Sequence, residues 1–275
     1  MRGIGMRASF VLIALASAAT TMLVRAEPVE ILAAGSLRGV VSDLAAVGNA
    51  LGVQVKSDFG GSGLLRERIE KGEKADLFLS ADLASPRKLQ ALGRTVLPVV
   101  VFARNRMCIV SRKSAGVTQK NVVDRLLAKD VRLKTSAPIA DPSGDYAWAI
   151  FDRIEAARPG AGATLKEKAQ ANMTVTAPST VPGQSAAAAL FAANLIDMSI
   201  TYCSASAGLE KEITELVSIE VPPALDPHPM YGIAVLSDRP EVLRLVVLLL
   251  SEEGQALIAR NGLQPLSATE TPPRP

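Results

Sequence analysis

Histidine, cysteine and aromatic side chains are scarce in this chain of 275 residues, and each scarcity removes a class of chemistry. The one histidine, His228, is wedged between Pro227 and Pro229, a poor place from which to take up and return a proton. A Ser-His-acid triad would have to use that proline-bound loop. One histidine and two widely separated cysteines, Cys108 and Cys203, give no zinc pattern and no direct protein ligands for a metal cation. There is no Gly-x-x-x-x-Gly-Lys-Ser/Thr loop, and Gly60-Gly61-Ser62-Gly63 lacks the lysine of a nucleotide site. The same stretch fails as a hydrolase nucleophile turn, because Leu64 stands where G-x-S-x-G requires its second glycine. No catalytic apparatus is visible, so neither an enzyme nor a cofactor is expected.

Net charge is also scarce once its location is considered. The 30 Lys and Arg exceed the 27 Asp and Glu by three, and residues 1–26 contain Arg2, Arg7 and Arg25 without any acid. Taking those three away leaves 27 residues of each sign, so the apparent basic character gives no reason to expect nucleic acid or a membrane surface as partner. The first 26 residues have a positive start, an apolar run from Ala8 to Val24 and a short side chain at Ala26, the layout of a secretory signal peptide cleaved after Ala26. Beyond it no apolar run approaches the length of about 20 residues that crosses a bilayer; Val242 to Leu250 is short and contains Arg244. An exported protein meets an oxidising compartment, where both a disulfide and a buried pair of free thiols fit Cys108 and Cys203.

What the chain does have is alternation. Val29–Ala34 reads as a strand, followed by Leu37, Val40, Val41 and Leu44 at helical spacing. Val53 to Phe59 and Ala75 to Ser80 read as further strands, with a helix from Ser62 to Lys71 between them and another starting near Asp82 and Pro86. Two apolar runs between Val96 and Val110 are joined by the polar Ala103 to Arg106. The pattern then restarts: strands at Ala137 to Ala140, Thr174 to Thr176 and Ser199 to Tyr202, and helices from about Asp145 to Ala157 and Gln184 to Asn194. Val221 to Pro229 carries four prolines in nine residues, after which come a strand at Tyr231 to Leu236 and a final helix pair. The two crossings, near 100–106 and 221–229, predict a hinged α/β protein with a discontinuous first lobe (27–102 and 229–265), an inserted second lobe (103–228) and a polar tail (266–275).

In open α/β sheets, ligands bind beyond the carboxyl ends of the strands, where helices begin. Four junctions of this kind carry small or hydroxylated residues: Gly35-Ser36, Gly61-Ser62-Gly63, Asp141-Pro142-Ser143-Gly144 and Pro182-Gly183-Gln184-Ser185. Each directs unsatisfied backbone N–H groups and the positive end of a helix dipole outward, so the four together can enclose an anion without Lys or Arg. Helix capping accounts for any one of them alone. Tyr202, at the end of its strand, adds a phenol donor.

The segments ILAAGSL, FGGSGLLRERIEKGEKADLFLSAD, ADPSGDYA, ITYC and LLLSEEGQALIARNGL resemble those of the periplasmic molybdate-binding proteins of ABC transporters, in the same order and over most of residues 29 to 263. The resemblance implies a two-lobe type II periplasmic binding fold, each lobe a mostly parallel sheet flanked by helices, with a tetrahedral oxyanion held between the lobes by hydroxyls and backbone N–H groups. It implies Ser36 and Ser62 as the serine donors of the first two loops, Ser143 and Gln184 at backbone-donor positions, and Tyr202 as the tyrosine donor. It further implies a monomer in the periplasm, with molybdate or tungstate as ligand and a permease with its ATPase as partner. Two departures bear on the choice of anion. The loop from Asp141 to Tyr146 is about three residues shorter than the common pattern, and Cys203-Ser204-Ala205-Ser206 replaces the usual glycine-serine-aspartate-alanine. Another oxyanion or a small carboxylate on the same scaffold is the alternative.

Overall fold

The computed structural model describes residues 27–179 and 181–266; the expected signal segment, and the expected tail apart from Leu266, lie outside them. The first strand, β1 (Val29–Ala34), is apolar on both faces and accordingly takes a central position, whereas β2 (Val55–Gly60), with Lys56, Ser57 and Asp58 exposed, is an edge. Between them α1 (Arg38–Ala50) buries Val40, Val41 and Leu44, the side chains its helical period places on one face. Next come α2 (Ser62–Glu70), the fully buried β3 (Leu77–Ser80), α3 (Ala84–Ala91) and β4 (Val100–Arg104).

The chain then passes into a second sheet. It contains β5 (Met107–Arg112), α4 (Val122–Leu127), β6 (Leu133–Lys134), α5 (Pro142–Ala157), α6 (Ala161–Ala171), α7 (Ala186–Ala192), β7 (Met198–Tyr202), α8 (Cys203–Glu212) and β8 (Leu216–Glu220). It returns to the first through β9 (Met230–Val235) and ends in α9 (Pro240–Leu250) and α10 (Glu252–Arg260).

The strand orders are β2-β1-β3-β9-β4 and β6-β7-β5-β8. The β1-β2, β1-β3 and β6-β7 pairs are parallel, as expected of βα units. The strands that enter or leave a lobe at the crossings, β4, β5, β8 and β9, pair antiparallel, so the sheets are mixed rather than mostly parallel. The first sheet keeps its last strand through Arg104, two residues beyond the boundary expected at 102.

Three expected elements differ. Ala137 to Ala140 is a turn, and the strand lies earlier, at β6, because Pro138 has no N–H for a ladder and Ile139 adopts a positive φ of 70°. Helix α5 starts at Pro142, three residues early, since Asp141 caps it and proline suits the first turn. Thr174 to Thr176 is irregular; its neighbourhood instead supplies carbonyls of Asn172, Met173 and Val175 to the Lys134 ammonium, at 2.8, 2.6 and 3.1 Å.

One apolar cluster runs through both sheets, from Ile31 and Leu79 through Phe102, Met107 and Tyr231 to Ile109 and Ile200. The joint is stitched by backbone bonds, Asn105 N–H to Pro229 O at 2.9 Å from one crossing to the other, and Cys203 N–H to Arg106 O at 2.9 Å from the start of α8 to the first crossing. Cys108 and Cys203 form a disulfide that fastens the first residue of α8 to β5.

Candidate functional site

The carboxyl ends of β1, β3 and β7 and the starts of α2 and α5 converge between the sheets. Ser36 lies in the 3-10 turn Gly35–Leu37 that leads β1 into α1, and its Oγ is 3.0 Å from Tyr231 Oη. Ser62, the first residue of α2, is fully buried, and its Oγ accepts the Ala81 N–H at 3.1 Å. That accepted bond ties α2 to the end of β3 and leaves the serine hydrogen free to donate elsewhere.

Ser143 and Tyr202 come from the second lobe and are each 4% exposed. Ser143 Oγ and Tyr202 Oη are buried and have no hydrogen-bond partner among the described residues. A buried hydroxyl without a partner costs about 1 to 3 kcal/mol, so two in one cleft need a reason. The Ser143 backbone N–H, expected as a donor, instead serves Asp141 Oδ1 at 3.0 Å as part of the helix cap. The Ser143 side chain is therefore the group left over.

Gln184 stands apart from these four. Its N–H donates to Val181 O at 3.1 Å, and the next residue, Ser185, donates its N–H to Glu212 at the end of α8 remote from Tyr202. The expected backbone donor at Gln184 is thus committed within its own turn. Helix α7 begins two residues later, with the Ser185 hydroxyl accepting the Ala188 N–H.

All three tyrosines of the chain gather here. The Tyr146 and Tyr202 ring centroids are 6.2 Å apart, and those of Tyr202 and Tyr231 are 5.7 Å apart, across the two lobes. Burial raises all three phenols above their ordinary pKa, with smaller contributions from Asp82, Asp141 and Asp145, so each keeps its proton and remains a donor at neutral pH. The three carboxylates are themselves engaged: Asp82 accepts the Ser85 N–H, Asp141 that of Ser143, and Asp145 that of Ile139. Burial pushes the Asp145 carboxyl up.

The lobes touch through glycine. A Cβ on Gly61 would meet Ala140 O at 2.2 Å, and one on Gly63 would meet Ile139 O at 1.7 Å, so only hydrogen at these positions admits the turn of the second lobe. Asn105 and Tyr231 carry no obvious mark in the sequence. Asn105 is 2% exposed and Tyr231 fully buried, and they are hydrogen-bonded to one another at 3.0 Å. The hint was the polar Asn105 between two apolar runs. Among the described residues no cluster of His, Cys, Asp and Glu is placed to hold a metal ion, and no helix is long and apolar enough to cross a membrane.

Two mixed sheets joined by two crossings, with hydroxyls converging on the cleft, define a two-lobe periplasmic binding fold. A family model described as bacterial extracellular solute-binding protein matches residues 29–264, and the chain belongs to that family. Membership brings with it a small-molecule ligand and an ABC transporter as partner. The uncharacterized protein PM1146 of Pasteurella multocida (strain Pm70) is 37% identical over 243 residues, covering 87% of this chain and 99% of that protein. Among solved structures, the sulfate-binding protein SubI of Mycobacterium tuberculosis H37Rv superposes with a TM-score of 0.72 at 17% identity, covering 88% of each chain. The periplasmic molybdate-binding protein of Azotobacter vinelandii does so with a TM-score of 0.66 at 17% identity, covering 86% of this chain and 98% of that one.

Proposed function

We propose that this protein binds, without transforming it, a tetrahedral oxyanion of the molybdate or tungstate kind in the periplasm and delivers it to an ABC importer. The observation that carries the reading is the pair of buried, unpartnered hydroxyls, Ser143 Oγ and Tyr202 Oη, in the cleft that Ser36 and Ser62 border from the other lobe. Neutral O–H donors of this kind suit an acceptor-only ligand. Hydrogen bonds to a charged group contribute about 1.5 to 3 kcal/mol each, enough after the cost of association for micromolar binding or better.

The preference for a large oxyanion follows from the charges. Asp82, Asp141 and Asp145 act on the cleft phenols and raise them a little beyond what burial does. A site that offers neutral donors against a negative background favours the ion that is least costly to dehydrate, and that cost falls as ionic radius grows. Calorimetry with molybdate, tungstate, sulfate, phosphate and small carboxylates tests the reading. Micromolar or tighter binding of molybdate or tungstate, weaker binding of sulfate and phosphate, is expected; no heat and no thermal stabilisation with any oxyanion would refute it.

A second reading, an anion with a short organic body, is favoured by a cavity of about 390 Å³ beside Asp141. Its wall includes Thr135, whose buried Oγ1 has no partner among the described residues. Stronger binding of a carboxylate than of any bare oxyanion in the same panel would favour that version.

A further inference from the structure

We propose that Asn105 is a positioning residue that sets the direction of the Ser36 hydroxyl through Tyr231, so that Ser36 presents its hydrogen to the bound anion. The inference rests on the reading of Ser36 as an anion donor given above, and adds to it a residue outside the cleft wall.

The argument starts from the amide. Asn105 Oδ1 accepts the Arg106 N–H at 2.9 Å, which fixes which end of the amide is oxygen. Both hydrogens of Nδ2 are then spoken for: one goes to Ser204 Oγ at 2.8 Å, the other to Tyr231 Oη at 3.0 Å. An amide nitrogen only donates, so Tyr231 Oη is the acceptor in that bond. The phenol has one hydrogen of its own, and its other neighbour is Ser36 Oγ at 3.0 Å. With that hydrogen directed at Ser36, the serine oxygen is the acceptor and the serine hydrogen is released toward the cleft.

Two features make this chain of bonds stiff. Tyr231 is fully buried and Asn105 is 2% exposed, so water does not compete for either bond. The Asn105 main chain is held as well, its N–H donating to Pro229 O at 2.9 Å. Ser204 is the second residue of α8, in the second lobe, while Tyr231 and Ser36 belong to the first, so the amide is gripped by both lobes at the crossing. A donor whose orientation is fixed beforehand loses less entropy when the ligand arrives.

The test uses the polarity of the chain. In Asn105→Asp the carboxylate is an acceptor of nearly the same shape. It draws the Tyr231 hydrogen to itself, Tyr231 Oη becomes the acceptor for the Ser36 hydrogen, and the anion loses a donor. Molybdate affinity measured by calorimetry is expected to fall about ten- to a hundredfold, the loss of one hydrogen bond to a charged group. Asn105→Ala, which removes a donor without supplying an acceptor, is expected to lose several-fold less, although alanine is the less conservative change in shape. In a Tyr231→Phe background, where no relay exists, the additional effect of Asn105→Asp should disappear; simple repulsion between the new charge and the anion would persist there.

An undiminished loss in the Tyr231→Phe background, or wild-type affinity in Asn105→Asp, overturns the proposal. Should Asn105→Asp fail to fold by circular dichroism, the Ser36→Ala and Tyr231→Phe pair decides: the relay requires Tyr231→Phe to cost nothing further once Ser36 is alanine, and additive losses reject it. A wild-type protein that binds no oxyanion, or a Ser36→Ala variant as tight as wild type, refutes the underlying reading itself, a result distinct from a failed relay.

Discussion

Tyr202 Oη and Ser143 Oγ are the two atoms on which the proposed anion site rests. Each is sequestered from solvent and offered nothing in return by the described residues. Tyr202→Phe and Ser143→Ala should therefore each lower oxyanion affinity about tenfold or more in calorimetry while leaving the melting temperature of the free protein no lower, since neither breaks an existing bond. A fall in both would mean that these hydroxyls serve the fold instead. Ser36, Ser62, Ser143 and Tyr202 were picked out in sequence because strand ends and helix starts are local features; their role as donors to a ligand belongs to the proposal above. Tyr231 and Asn105 were not, because their meaning lies in partners 195 and 126 positions away, to which no local pattern points. Gln184 shows the converse failure. The sequence reads a helix from about Gln184, but the helix begins two residues later and the Gln184 N–H closes a turn on Val181.

At the level of elements, the approach of α2 to the turn before α5 is a close backbone contact between the lobes. Gly63→Ala adds a side chain where the described structure has room only for hydrogen. Its methyl group collides with Ile139 O, so the lobes cannot meet as they do here. Affinity is expected to drop at least tenfold, and small-angle scattering should show a more open molecule in the presence of anion; unchanged affinity would show that closure does not use this contact.

A different element pair carries a pH dependence. Asp197, just before β7, is paired with Arg132, and that hydrogen bond outweighs partial burial and holds its carboxyl below the ordinary carboxylate range. The folded state therefore resists protonation more than the unfolded chain does. The stabilisation is complete above the unfolded value near 4 and is lost as pH falls through the lower folded one. Melting temperatures followed from pH 6 to pH 3 should decline less steeply in Asp197→Asn than in wild type.

The elements most faithfully legible in sequence were those with strong periodicity and burial, β1, α2 and α9 among them. Helix α8, whose first residues Cys203 to Gly208 are all small, showed too little apolar period to be read.

For the whole molecule, the chain passes between its two sheets at a polar break after β4 and at a proline-rich stretch before β9, both changes of composition that can be seen in the sequence. The pairing of Cys108 with Cys203 stayed open in sequence, between a disulfide and free thiols, because it depends on β5 and β7 being neighbours. The bond closes a sequence separation of 95 residues, which the chain-entropy estimate values at about 4 to 5 kcal/mol. Replacing both cysteines by serine should lower the melting temperature by about 10 °C or more for a protein of this size, and an unchanged value would deny the bond a role in stability. Anion affinity should weaken as well, since Tyr202 precedes one of the bonded residues.

The path of β9 has a further consequence, for the order in which the molecule assembles. Strand β9 lies between β3 and β4, so β4 has no neighbour in its sheet until residues 230–235 have arrived. The other sheet draws all its strands from residues 107–220 and is bolted shut by a sulfur bridge within that span. A chain threaded through a membrane from its amino end delivers the inserted half entire, ready to be oxidised, while the half that precedes it still waits for its last strand. The part of the protein that begins first is thus the part that finishes last, and the cleft comes into being only when the end of the chain is home.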